Sequence, residues 1–319
     1  MSFKNHPNFF LIGFPKCGTS ALASFLNNHP QVYFSPVKEP SYYSYLNQGG
    51  FVNRGVFQRV NDHQYKQLFK HVNLSRHLII GEGSVSYCFC PEAIQQILLR
   101  VPKAKFVIMI RNPMSAALSL YAQKYKSISK SYSDLTHSFD HVWANLESSR
   151  DKALNFQYDK CFQYSNLLPN LLDIIPKENL HFVVFDDFCK SNDIEFSKVC
   201  VFLGIRKDIV IDFNRENDSY CLKRNSITRL MAKIKSLKHY SQSSLPCLGT
   251  FFLSSYYQKF QKKILKKLMR HDDNLLTEVT YVSDGVKKEM CDFFNDDIIY
   301  VERLMGRSFS HWREQFLGG

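Results

Sequence analysis

The sequence predicts an α/β fold, with helices covering a central sheet. Three observations carry this. Residues 8–22 read as strand, glycine-bearing loop and helix in succession. The run Lys-Phe-Val-Ile-Met-Ile at 105–110 is apolar without alternation, the pattern of a central strand buried on both faces. Shorter runs of the same kind recur along the chain, separated by helix-compatible segments. With 319 residues, 45% hydrophobic and 22% charged, the chain has the size and composition of a globular protein with a full core.

The first strand, residues 9–12, stops at a loop holding Gly13, Pro15, Lys16 and Gly18. Leu22, Phe25 and Leu26 then fall at helical spacing. Backbone N–H groups and the positive helix end converge at such a start, which makes it a place for an anion. The spacing Gly13-x4-Gly18 is similar to the phosphate loop of nucleoside triphosphatases, but no lysine follows the second glycine. Thr19 and Ser20 stand there, and the lysine lies inside the loop at position 16. Phosphate binding survives this change better than ATP hydrolysis does; an ordinary strand-to-helix turn is the alternative.

A second strand at 31–34 runs into Ser35-Pro-Val-Lys-Glu-Pro40. Lys38 and Glu39 therefore sit at the carboxyl end of a strand, where open α/β sheets place ligands. Glu39 is read as functional, against a solvated loop charge, and Tyr42, Tyr43 and Tyr45 as a cleft wall. Residues 56–72 form a mixed helical stretch. A third strand, 77–80, leads to Glu82, also placed at a strand end, and Pro91 opens a helix reaching Leu99. The strong strand at 105–110 ends in Arg111-Asn112-Pro113, and a helix follows with proline in its first turn. Ser119 lies eight residues after Arg111, with Ser115 one turn before it. Arg111 replaces the acid that a triphosphatase would hold near magnesium and supplies a forked donor for phosphate, with a loop brace as the alternative. Beyond a helix flanked by Tyr158 and Tyr164, a fifth strand at 180–185 exits at Asp186-Asp187. Gly204 stops another helix. A last helical region at 286–304 ends at Gly306, and Phe309, Trp312 and Phe316 form an apolar tail to dock on the core.

Nine cysteines without CxxC pairs read as reduced thiols, with Cys17 a small loop filler. No apolar run approaches the roughly 20 residues of a membrane span, and the first residues have no signal layout, so a cytoplasmic protein is expected. The net charge of +12 is concentrated in residues 219–270, which hold twelve Lys/Arg and no Asp or Glu; elsewhere 29 basic residues balance 29 acidic ones. Such a block signals an anionic partner: a cofactor, an acidic glycan, nucleic acid or a membrane surface. Within it, Phe260, Ile264, Leu265 and Leu268 mark an amphipathic cationic helix, suited either to peripheral membrane contact or to a solvated face over the cleft. The expected organisation is a single domain, 1–319, with a basic helical insertion or lid at about 219–270.

With both anion elements in view, the sequence resembles the sulfotransferases that use 3′-phosphoadenylyl sulfate (PAPS). Pro15-Lys16-Cys17-Gly18-Thr19-Ser20 matches the family's Pro-Lys-x-Gly-Thr segment, and Arg111 with Ser119 matches its Arg and Ser eight residues apart. Leu26-Asn-Asn-His-Pro30, Lys38-Glu39-Pro40 and Gly306-Arg307-Ser308-Phe309-Ser310-His311-Trp312 look like bacterial and carbohydrate-type members. The resemblance implies a P-loop-NTPase-like three-layer α/β fold with a central parallel sheet. It implies transfer of a sulfuryl group from PAPS to a hydroxyl or amine, most readily on a carbohydrate, without a metal and with no nucleic-acid partner. By the same resemblance, Lys16 neutralises the leaving phosphate, and the amides of Gly18 to Ala21 with the Thr19 and Ser20 hydroxyls hold the phosphosulfate. Arg111 and Ser119 hold the 3′-phosphate. Glu39 aligns with the Glu that heparan-type members place before an aromatic pair, making it the expected general base, with Glu82 second. Gly83 departs from several animal glycan enzymes, which carry Lys there. The family's C-terminal Gly-Arg cofactor loop is not recognisable, and Lys223 and Arg224 stand in for it. The rival readings are a nucleotide kinase-like enzyme and a non-catalytic binder of acidic glycans or membranes through 219–270.

Overall fold

The computed structural model describes residues 5–46, 60–128, 138–146, 158–211, 213 and 281–318. The chain divides into two compact units. The first comprises Met1–Ala117, Gln157–Asn217 and Lys287–Gly319; the second comprises Leu118–Phe156 and Asp218–Val286.

All five described strands lie in the first unit and are parallel: β1 (Phe9–Leu11), β2 (Val32–Phe34), β3 (Ile79–Gly83), β4 (Lys105–Ile110) and β5 (Leu180–Val184). Their order is β2-β3-β1-β4-β5. Phe9 is in register with Gly81 of β3 on one side and Lys105 of β4 on the other. The chain leaves β1 toward β2 and leaves β4 toward β5, so the two connections diverge. A sheet wound this way opens a crevice beyond the carboxyl ends of β1 and β4.

The helices follow in chain order: α1 (Thr19–Asn27), α2 (Tyr42–Leu46), α3 (Asp62–Leu68), α4 (Pro91–Arg100), α5 (Pro113–Ile128), α6 (Phe139–Ala144), α7 (Tyr164–Leu172), α8 (Phe185–Lys190) and α9 (Asn192–Leu203). After the undescribed stretch come α10 (Asp284–Phe293), α11 (Asn295–Met305) and α12 (His311–Leu317). The helical region expected at 286–304 is thus two helices that break at Phe294. Of the expected stretch at 56–72, residues 60–72 are described, and among these the α-helix is α3, where Asn61 and Gln64 form a reciprocal capping box.

Successive residues of β1 serve opposite faces of the sheet. Phe10 stacks on Phe106 at 5.6 Å and meets the edges of Tyr43 and Tyr87. Phe9 meets Phe34 of β2. A separate aromatic cluster gathers around Phe25 of α1, with Phe188, Phe196 and Phe213. Tyr42 and Tyr43, expected on a cleft wall, belong to the core: Tyr42 stacks on Tyr65 with centroids 4.1 Å apart, and Tyr43 is fully buried. Their large apolar area wins over the solvent-facing role.

The segments around His29 and Trp312, which carry part of the family resemblance, act as braces in the first unit. His29 accepts from the Gln31 N–H through Nδ1 (3.0 Å), leaving Nε2 to donate to the Arg206 carbonyl (2.8 Å). Gly306 ends α11 at φ +64, and beyond it Phe309 and Trp312 are buried as expected for the tail, while Phe316 is only partly buried. In the second unit Ser138 caps α6, Phe139 packs edge-on against Tyr121, and Asp140 accepts from the Ser283 N–H. Among the described residues no helix is long and apolar enough to cross a membrane. Residues 219–270, including Lys223, Arg224 and the expected amphipathic helix, lie outside the described residues.

Candidate active site

The loop after β1 keeps following β4: Ile12 and Phe14 donate to the carbonyls of Val107 and Met109. Gly13 lies so close to that strand that a Cβ there would sit 1.9 Å from the Met109 nitrogen. Gly18 is left-handed at φ +88, and a Cβ on it would press the Phe185 ring at 2.9 Å. Both glycines are therefore required by backbone geometry and close approach.

α1 begins at Thr19 with no side chain capping it. The N–H groups of Ala21 and Leu22 donate to the Gly18 carbonyl, and that of Cys17 to Phe14. Those of Gly18, Thr19 and Ser20 make no hydrogen bond with the described residues. Three unengaged donors at a helix N-terminus suit an anion's oxygens. The Cys17 thiol is turned inward, donating to the Pro15 carbonyl at 3.4 Å, and burial pushes its pKa to about 12. It stays a neutral filler at physiological pH.

Lys16 adopts φ +63. Its carbonyl accepts from the Arg111 guanidinium at 3.0 Å, and the same guanidinium lies 4.3 Å over the Phe185 ring. Tyr164, fully buried, clamps the Arg111 backbone: its hydroxyl donates to the Arg111 carbonyl (2.8 Å) and accepts from the Arg111 N–H (3.3 Å). The two anion elements, 95 residues apart in sequence, thus meet at the carboxyl ends of β1 and β4. Neither Tyr164 nor Phe185 was assigned a site role from sequence. The signal for them is three-dimensional: both are brought in by elements far along the chain. Ser119, partly exposed on α5, belongs to the second unit, and Ser115 to the first.

Glu39 is left-handed at φ +60 and partly exposed. Its N–H donates to the Gly83 carbonyl (2.8 Å), one carboxylate oxygen accepts from the Val85 N–H (2.7 Å), and the other pairs with Lys38. Glu82 differs. It lies inside β3, because that strand runs to Gly83, and its side chain has no exposed surface. Ser84 and Tyr65 donate to its two oxygens at 2.6 and 2.5 Å. Burial nevertheless dominates and pushes its pKa up to about 7.

The C-terminal segment closes in behind Arg111. Asn112 donates to the Trp312 carbonyl (2.8 Å), the Trp312 indole donates to Asp186 (2.5 Å), and Arg307 pairs with Asp187. Asp186 and Asp187 lie in the first turn of α8, where the helix end favours negative charge.

Comparison with known proteins identifies this arrangement. Residues 7–208 match the family model described as the sulfotransferase family, which takes in β1 to β5 and both anion elements. The chain belongs to the sulfotransferase family. It is accordingly an enzyme that transfers sulfuryl groups. The similar proteins include mouse heparan sulfate glucosamine 3-O-sulfotransferase 6, 25% identical over 82% of this chain and 71% of that one. Rat carbohydrate sulfotransferase 15 is 26% identical over 57% of this chain, which spans 38% of that protein's length. The membrane-associated sulfotransferase kil1 of Dictyostelium discoideum is 26% identical over 43% of this chain, and the match spans 27% of its length. A sulfotransferase structure from Alicyclobacillus acidocaldarius shares the fold, with a TM-score of 0.64 at 23% identity over 97% of this chain and 99% of that one.

Proposed function

We propose that this sulfotransferase moves the sulfuryl group of PAPS to a hydroxyl or amine of a carbohydrate. The observation that supports the donor best is the junction of Arg111 with the Lys16 carbonyl. It sets a guanidinium beside a helix start whose first amides are unengaged, a donor set that fits a nucleotide with phosphate-type anions at two places. Gly18, Thr19 and Ser20 would hold the phosphosulfate through amides and hydroxyls; Arg111 would hold the 3′-phosphate. When bound, PAPS supplies a sulfuryl group on a phosphosulfate anhydride. The Lys16 ammonium offsets charge on the departing phosphate, and Glu39 accepts the acceptor's proton at a carboxylate oxygen. Glu39 has a surface for an acceptor to reach, whereas Glu82 has none. A carbohydrate acceptor is supported by the relatives, which include heparan sulfate and carbohydrate sulfotransferases. The twelve Lys/Arg of residues 219–270 would attract an acidic glycan.

Adenosine 3′,5′-bisphosphate should raise the melting temperature of the protein. Arg111→Ala should weaken its affinity by about tenfold or more, since charge-assisted hydrogen bonds are lost. Glu39→Gln should lower turnover with PAPS and desulfated heparan oligosaccharides by about a hundredfold while leaving bisphosphate affinity intact. Folded protein that shows no thermal shift overturns the donor assignment; Glu39→Gln with normal turnover overturns the base.

A further inference from the structure

Glu82 has no surface for an acceptor, yet it is bonded toward the residue that does. Its Oε2 accepts from the Tyr65 hydroxyl and its Oε1 from the Ser84 hydroxyl. Ser84 has a single hydroxyl proton, and donating it to Glu82 turns an oxygen lone pair toward the Ser41 N–H, which donates to it at 3.0 Å. Ser41 stands two residues after Glu39, across Pro40, and both residues are left-handed at φ +52 and +60. Three further bonds tie the same two segments together. Glu39 N–H donates to the Gly83 carbonyl, Val85 N–H donates to the Glu39 carboxylate, and the Ser86 hydroxyl donates to that of Ser41 (3.1 Å). A non-glycine residue keeps a left-handed backbone only where its surroundings over-determine it, and here one of those ties, through Ser84, leads back to a buried carboxylate.

We infer that Glu82 and Ser84 form a buried relay that sets the backbone of residues 39–41 and so aims the Glu39 carboxylate, making both positioning residues for sulfuryl transfer. The inference rests on the reading of Glu39 as the base. Ser84→Ala removes the bridging hydroxyl with little change in volume. Turnover with PAPS and desulfated heparan oligosaccharides should fall about tenfold or more, with affinity for adenosine 3′,5′-bisphosphate held within about twofold. Amide hydrogen exchange should quicken in residues 39–44 and not in α1 or β4. In a Glu39→Gln background the Ser84→Ala change should cost no further turnover, because both act through one carboxylate. Glu82→Gln, which puts an amide NH2 where one acceptor oxygen stood, should repeat this pattern. Unchanged turnover and exchange overturns the relay. So does loss of folding or of bisphosphate affinity in both variants, which makes the network a scaffold for the whole unit. If Glu39→Gln itself turns over normally, the base assignment falls, and the exchange of residues 39–44 still decides whether the relay sets that backbone.

Discussion

Gly13 occupies the point where the anion loop crosses β4, and nothing larger fits there. The atom a Cβ would strike at 1.9 Å is backbone, so no side-chain rotation relieves the clash. Gly13→Ala should therefore force β1 and β4 apart and cost ~3 kcal/mol or more. Chemical denaturation measures this directly; a midpoint equal to that of the unaltered chain would show that the loop does not run where described. The three non-glycine residues with left-handed backbone among the described residues are Lys16, Glu39 and Ser41. Two are the proposed leaving-group cation and base, and the third anchors the relay. The positions of Lys16 and Arg111 after strand ends were legible in sequence because each is tied to its strand by local spacing. Tyr164 was not, because its hydroxyl meets Arg111 across 53 residues and nothing near Tyr164 announces an acceptor.

Among the elements, β4 was legible to the residue, since five consecutive apolar residues between Lys105 and Arg111 leave no room for another reading. β3 runs two residues later at its start and three later at its end than the expected 77–80. Gly81-Glu82-Gly83 reads as a turn, yet the strand continues because the Phe34 ring lies across it; a Cβ on Gly81 would come within 2.6 Å of that ring. The two glycines are there for an aromatic neighbour, and the strand's longer course is what buries Glu82. α8 was likewise hidden: Asp186-Asp187 looks like a strand exit, but it is a first helical turn whose carboxylates receive Trp312 and Arg307. α12 and the turn before it thus depend on one indole that is fully buried and hydrogen-bonded. Trp312→Ala should lower stability by about 3–5 kcal/mol, the range for truncating a buried aromatic. Trp312→Phe should retain most of that packing and lose chiefly the bond to Asp186. Thermal melts of the pair separate the two contributions, and equal melting temperatures for both variants would contradict a packing role for the indole.

For the molecule as a whole, pH acts on stability through partly and fully buried groups of opposite sign. His6 and His181 are lowered by burial, so the stability each contributes is present above the ordinary histidine pKa and lost as pH falls. Glu82 and Asp297 are raised by burial and act the other way. Glu82 moves from an ordinary 4.5 to about 7, so the folded state holds a proton that the unfolded chain has released. Its contribution is complete below about pH 4.5 and declines as pH rises toward 7, by on the order of 3 kcal/mol across that window. The histidines mask this in the intact protein, because their contribution grows over part of the same range. A difference measurement removes the mask: Glu82→Gln has no carboxyl to titrate, while the histidines and Asp297 remain. The stability gap between the two proteins should therefore shift in favour of Glu82→Gln as pH rises from 4.5 to 7.5, whatever its value at the acid end. A gap that stays constant would mean that Tyr65 and Ser84 hold Glu82 ionised throughout, and the relay would then run on a permanent charge.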